Sequence, residues 1–392
     1  MNAVKRGMGF VGVTHWLLCL LTILLTMHSA QANDATQGMN AYDTLGEQLA
    51  DVINQQDDKR MVKIFNLKDF FRRAAKSVFT LERDVNAYVA GSMKNGEVHL
   101  SKVLFTSTYQ RNPNAKFIRT IKDNQPVVRL DYSDGGHEYL LLVVEKQDGG
   151  KLQIVDFFPL SSGQMMSETL GIVSQMLYNP SESLLKRLFG SVEYNEALGE
   201  AFKRIAKFRA AGNYKAAYRV LQAQPENIRT RRIMLHSAIN LAGQIGETEY
   251  REQLALLDKY YGNEESAGFL LIDHHIYNGN FRRAQKSLDG IVGLIGEDGV
   301  LMLLKANTCL IAEDFACSEQ YARKAIAIEP DLEDPYWTLI NCQVHTEKYA
   351  QVVETLKYLE ENFDYEFTEE AFAGEALYQD FIQSPEYKRW LL

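Results

Sequence analysis

The chain has 392 residues, 46% of them hydrophobic and 24% charged, a balance that supports a buried core and excludes general disorder. Lys and Arg number 42 against 51 Asp and Glu, a net charge of -9 without a sustained basic patch, which argues against a nucleic-acid partner. The 4 cysteines include no C-x-x-C pair, too few for a disulfide scaffold and wrongly spaced for structural zinc or thioredoxin-like chemistry.

Lys5 and Arg6 precede an apolar run from Trp16 to Met27, and Ala30-Gln31-Ala32 offers small residues before a cleavage point. Residues 1–32 therefore read as a secretory signal peptide, with a periplasmic or secreted mature chain and no stable membrane insertion. The alternative is an uncleaved inner-membrane anchor, because the run from Met8 to Met27 approaches spanning length. Leu18 stands before Cys19 where lipid attachment needs a small residue. Cleavage after Ala32 removes two basic residues and no acidic one, which takes the net charge from -9 to -11. It leaves Cys309, Cys317 and Cys342, whose places in helical apolar patterns predict small, buried, inert thiols.

Residues 40–178 read as an α+β domain. Leu45, Leu49 and Val52 mark a helix over Thr44 to Gln55, and a second helix is expected from Lys59 to Val78. A third, shorter one is expected from Val85 to Met93, while Val98 to Tyr109 fits helix or strand. The period then changes to two. Phe117 to Ile121, Val127 to Tyr132, Tyr139 to Glu145 and Leu152 to Phe158 predict four strands. The connectors Asp123-Asn124, Asp134-Gly135-Gly136 and Asp148-Gly149-Gly150 suit tight hairpins, so the strands should form an antiparallel meander. Helices followed by such a meander resemble the cone-shaped nuclear-transport-factor-2-like fold, which implies a ligand pocket or a homodimer through this domain. Asp131, His137, Tyr139 and Asp156 are the polar residues that would converge in a pocket. Asp156, in an apolar strand, would serve as a base there if its pKa were raised. The plainer expectation is that it pairs with Arg119 or Arg129, or caps a backbone turn. No nucleophile motif, metal-ligand series or phosphate loop accompanies these residues, so neither catalysis nor a cofactor is expected.

After a linker at 179–195, residues 196–392 read as an all-α superhelix of repeats with capping helices at its end. Tyr214, Tyr250, Phe281, Phe315 and Tyr349 recur at intervals of 36, 31, 34 and 34. The preceding turns read Gly212-Asn213, Gly279-Asn280, Glu313-Asp314 and Glu347-Lys348, and Ala217, Ala284 and Ser318 stand three positions after their aromatics. Over residues 196–364 the pattern resembles the tetratricopeptide repeat, a family of 34-residue helical pairs. Gln253 and Lys305 depart from it. The chain as a whole resembles exported bacterial tetratricopeptide proteins.

That resemblance implies a concave groove lined by the first helix of each pair. Phe202, Phe269, Leu303 and Trp337 share one helical position, and Asp273, Asn307 and Asn341 stand four residues after the last three of them. Tyr277, Ile311 and His345 extend the same faces. An apolar strip beside such a polar ladder suits a peptide or protein partner, and the chain is read as an adaptor or scaffold rather than an enzyme. The alternative is a small-molecule binder or enzyme using the first domain. His274 and His275 suggest a metal, but neighbouring helical residues point about 100° apart, which argues against a shared ion. Tyr387, Trp390 and Leu391 are expected to cap the open end of the array.

Overall fold

A computed structural model describes residues 40–96, 105, 108–109, 111–133, 135–178, 196–264, 267–368 and 371–391. The segments 1–32 and 179–195, and most of 98–109, lie outside these residues. The described residues form two compact units, 40–253 and 254–391.

The first unit opens with helix α1 (Ala41–Gln55), started by Asn40, whose side-chain oxygen accepts from the amides of Tyr42 and Asp43. The single helix expected from Lys59 to Val78 is two, α2 (Asp58–Ile64) and α3 (Leu67–Val78). Phe65 between them is extended, and the Asn66 side chain accepts from the Asp69 amide and starts α3. Apolar periodicity runs through both helices and conceals the break, because Phe65 at the break is itself apolar and buried. Helix α4 (Glu82–Gly96) follows.

Strands β1 (Pro113–Ile121), β2 (Gln125–Tyr132), β3 (His137–Lys146) and β4 (Leu152–Pro159) form the expected antiparallel meander in chain order. One face carries Ala115, Val128, Leu130, Leu140, Leu142, Ile154 and Phe157, in one core with Leu49, Ile53, Phe65 and Phe70 of the helical layer. Burying such aliphatic and aromatic side chains stabilises the unit by about 1.5–3 kcal/mol each. Both sheet edges are occupied locally. Asn54 of α1 bonds the backbone of Ala115 in β1, and the Asn66 amide donates to the Ile154 carbonyl of β4.

Helix α5 (Met166–Tyr178) crosses α3 so closely that a side chain at Gly171 would meet the Ala74 carbonyl. Helices α6 (Glu196–Ala210), α7 (Tyr214–Gln222), α8 (Glu226–Arg229) and α9 (Arg232–Gly243) follow. Phe202, Ala217, Leu221 and Met234 share a core with Val78 and Ile172 of the sheet-bearing part. The first expected repeat is thus packed with residues of the α+β part rather than standing apart from it. Helix α10 (Glu247–Tyr261) begins at Glu247, so Tyr250 lies a turn inside it instead of at its start.

The second unit contains α11 (Gly268–Tyr277), α12 (Phe281–Ile295), α13 (Gly299–Ile311), α14 (Phe315–Ile328), α15 (Asp334–His345) and α16 (Tyr349–Asn362). The α11–α12, α13–α14 and α15–α16 turns share one backbone device with the α6–α7 turn. Gly212, Gly279, Glu313 and Glu347 all have φ between 55° and 69°. The next residue's amide reaches back five positions: Asn213 to Phe208, Asn280 to His275, Asp314 to Cys309 and Lys348 to Gln343. This is the Schellman ending, which satisfies carbonyls that a helix terminus leaves open. Asn213 and Asp314 then start the following helix by accepting from the amides of Ala216 and Cys317.

Beyond α16 come the short helices α17 (Gln379–Gln383) and α18 (Pro385–Trp390). Phe372, Tyr378, Phe381 and Tyr387 are buried with Tyr336, Trp337 and Ile340 of α15. Trp390 packs at the margin of this cluster, while Leu391 is exposed.

Candidate binding site

The residues expected around a pocket in the first unit separate into two groups. Antiparallel register sets Arg129 opposite Tyr139 and Asp131 opposite His137, which places these four on one sheet face. Arg129 holds both Asp131 oxygens, at 2.7 and 2.8 Å, and His137 Nδ1 lies 2.8 Å from Asp131 Oδ1. Burial pushes the Asp131 carboxyl up, but the hydrogen bonds from His137 and Arg129 and the Arg129 charge outweigh it and hold it below its ordinary range.

Asp156 is committed elsewhere. Its Oδ2 accepts from the Ser167 hydroxyl at 2.6 Å, and its Oδ1 accepts from the amides of Ser167 at 3.1 Å and Phe157 at 2.9 Å. It thereby serves the first turn of α5, the turn-capping role among those expected, and it pairs with neither Arg119 nor Arg129 in any of these bonds. Burial raises its pKa against these hydrogen bonds. The carboxylate that would act as a base is therefore held on a serine and two amides.

The strip expected to line a groove is unevenly covered. Phe202, Asp273, Leu303, Trp337 and Asn341 are buried. Phe269, Tyr277 and Asn307 are half-buried, and Ile311 and His345 are exposed. Trp337 meets the edges of Tyr365 and Phe367 at ring separations of 5.5 and 6.0 Å. Asn341 Oδ1 accepts from the Tyr378 hydroxyl at 2.7 Å, and Asn307 Oδ1 accepts from Thr338 Oγ1 at 2.8 Å. At α15 the strip is filled by the chain's own carboxy-terminal segment. His345 stacks on Phe315 at 4.5 Å. Phe269, Tyr277 and Ile311, on α11 and α13, are the apolar members that keep accessible surface.

The cysteines differ from expectation. Cys309 and Cys317 form a disulfide across the α13–α14 turn, with Cα atoms 5.8 Å apart, and Cys342 is free and buried. The turn geometry explains the pairing, because the Schellman bond from Asp314 to Cys309 folds α14 back onto α13. Burial raises the Cys342 pKa, consistent with an inert thiol.

Sequence reasoning considered His274 and His275 alone and missed two partners. Asp258 of α10 and Arg283 of α12 flank the pair: His274 Nε2 lies 3.5 Å from Asp258 Oδ2, and Arg283 NH2 lies 3.2 Å from Asp258 Oδ1. One ligand atom from each of Asp258, His274 and His275 lies within 4.8 Å of the others. Asn278 reaches the His274 ring at 3.3 Å. Neither acid nor arginine carries a local motif, so only helix packing brings them together.

With this geometry in hand, comparison with protein-family models, curated proteins and solved structures gives no match to the chain.

Proposed function

We propose that the chain is an exported adaptor whose helical region is a tetratricopeptide-like array that takes a segment of a protein partner. The observation that carries this reading is the seating of Tyr365, Phe367 and Tyr378 on Trp337 and Asn341. That contact supplies a template: aromatic rings against the apolar position, and a tyrosine hydroxyl on the asparagine oxygen four residues later. Phe269, Tyr277 and Ile311 offer related apolar surface on α11 and α13. The Asn307 carbonyl is committed to Thr338, which leaves its NH2 group as the donor for a partner's carbonyl. The occupant of this stretch is an extended protein segment bearing aromatic side chains.

Export is supported by the basic and apolar pattern of residues 5–27 and by the Cys309–Cys317 disulfide, which suits an oxidising compartment. No described helix is long and apolar enough to cross a membrane. The recurring turn device at 34-residue intervals from Gly279 to Glu313 to Glu347 supports the repeat register. Binding, rather than catalysis, is the role we assign, and the Asp156 cap supports that preference.

Affinity capture from the native envelope with residues 33–392, followed by calorimetry with the captured partner, tests the reading. Tyr277→Ala with Ile311→Ala should weaken binding at least tenfold without shifting the melting transition materially. Unchanged affinity in a well-folded double variant would remove this face from the site.

A further inference from the structure

We infer that Asp258, His274 and His275 form a zinc site in which Arg283 competes with the metal for the Asp258 carboxylate. Three observations at the meeting of α10 and α11 converge here. The ligand atoms of the three residues already lie within 4.8 Å of one another. His275 is 3% exposed, and its Nδ1 has no hydrogen-bond partner, so a buried imidazole nitrogen stands beside two other donors without an internal use. Finally, His274 Nε2 and Asp258 Oδ2 are 3.5 Å apart, long for a charged hydrogen bond. Ligand atoms sharing a tetrahedral zinc at about 2.0–2.2 Å lie roughly 3.3 Å from one another, close to that spacing.

Adjacent helical residues diverge by about 100°, and two histidines alone would not share an ion easily. The packing of α10 against their helix changes the problem. Asp258, on α10, supplies the anionic ligand from outside the α11 helix, and the three ligand atoms have to close from within 4.8 Å to about 3.3 Å of one another. Two nitrogens and one carboxylate favour zinc over magnesium or calcium, which prefer all-oxygen shells. Three protein ligands leave a fourth position for water or a partner's side chain.

Arg283 is the built-in competitor. Its guanidinium contacts both Asp258 oxygens, at 3.2 and 3.4 Å, and carries the positive charge that a metal would otherwise supply. Half of its side chain is exposed, so it can swing into solvent when zinc takes the carboxylate. The Asn278 NH2 group donates to the His274 backbone carbonyl at 2.7 Å, which keeps it beside the ring.

The test is calorimetric titration of zinc sulfate into residues 33–392 purified without a polyhistidine tag, with equilibrium dialysis giving the stoichiometry. One zinc per chain is expected. Asp258→Asn and His274→Ala should each weaken it at least tenfold, while Arg283→Gln should tighten it severalfold by removing the competing cation. Arg283→Gln lies at an exposed side chain and serves as the variant whose fold is safe. Absence of stoichiometric binding in the parent would overturn the site. So would zinc affinity that is unchanged in Asp258→Asn and His274→Ala, or not raised in Arg283→Gln.

Discussion

Asn54 in α1 and Ala115 in β1 are joined through both polar atoms of the asparagine amide. The Asn54 NH2 donates to the Ala115 carbonyl at 2.9 Å, and the Ala115 amide donates to the Asn54 carbonyl oxygen at 2.6 Å. Ala115 faces Leu130 of β2 on its other side, so Asn54 occupies an edge that would otherwise display unpaired backbone. Asn54→Leu should destabilise the unit by about 1–3 kcal/mol, because a partly buried amide and carbonyl lose their partners. Denaturant unfolding measures the loss. Size-exclusion chromatography should also show more self-association, since a free strand edge can pair with another copy.

The four matching turns place two glutamates in a backbone region that suits glycine. Glu313 has φ of 58° and Glu347 of 55°, where Gly212 and Gly279 have 69° and 68°. The left-handed conformation costs a non-glycine residue roughly 1 kcal/mol, partly offset by the greater unfolded-state freedom of glycine. Glu347→Gly should therefore leave stability unchanged or raise it by up to about 1 kcal/mol, whereas Gly279→Ala should lower it by about 1 kcal/mol. Thermal melting of both variants checks the pair. A loss in Glu347→Gly equal to that in Gly279→Ala would contradict the shared turn.

Much of this fold was legible because local rules and packing agree. The four strands followed from a period of two and from glycine-bearing turns, and the last three helical pairs followed from a recurring aromatic after a turn. What failed was local chemistry hidden by apolar pattern. Phe65 is apolar and buried like its helical neighbours, so hydropathy gave no sign that Asn66 restarts the helix. Tyr250 matched the aromatic register but lacks the positive-φ turn, and its helix begins earlier. The strip on the first helices was traceable by spacing, yet its coverage at Trp337 and Asn341 depends on a segment with no repeat signature. Asp258 and Arg283 joined the histidines only through packing.

The disulfide gives a direct chemical prediction. Under unfolding, non-reducing conditions, residues 33–392 should show one reactive thiol, Cys342, and three after reduction. Cys309 and Cys317 are separated by 8 positions, and closing so short a loop is worth about 2.5 kcal/mol in the chain-entropy description. Cys309→Ala with Cys317→Ala should lower stability by about that amount and remove the effect of reductant on the melting transition. Thiol labelling with mass spectrometry and paired melts measure both.

His236 predicts the shape of the acid limb. Burial, with Arg232 beside it, lowers its pKa from 6.5 to about 4. The unfolded chain therefore binds a proton at a pH where the folded chain does not. Its contribution favours folding above the unfolded pKa and is lost as pH falls from about 6.5 to about 4. His236→Gln should flatten this part of the stability profile by on the order of 1–3 kcal/mol between those limits. Denaturant unfolding across the pH range, in parent and variant, supplies the comparison. Parallel profiles would show that His236 does not carry the effect.

The contact between Tyr378 and Asn341 distinguishes a fixed cap from an empty groove at α15. Both side chains are buried, and the tyrosine hydroxyl donates to the asparagine oxygen at 2.7 Å. Tyr378→Phe leaves Asn341 without that donor and should destabilise the second unit by about 1–3 kcal/mol. Asn341→Ala removes the other half of the bond, and the double variant should lose less than the two singles together. A coupling of about 0.5–3 kcal/mol is expected for residues in direct contact. Trp337→Ala should cost more, about 3–5 kcal/mol, since it empties a buried aromatic site against Tyr365 and Phe367. Calorimetry with the captured partner then separates the roles: Tyr378→Phe should retain partner affinity below its melting transition, while Tyr277→Ala with Ile311→Ala should lose it. Additive effects of Tyr378→Phe and Asn341→Ala would mean that the pair is not coupled in solution. Loss of partner affinity in folded Tyr378→Phe would move the docking surface from α11 and α13 to the segment around Tyr378.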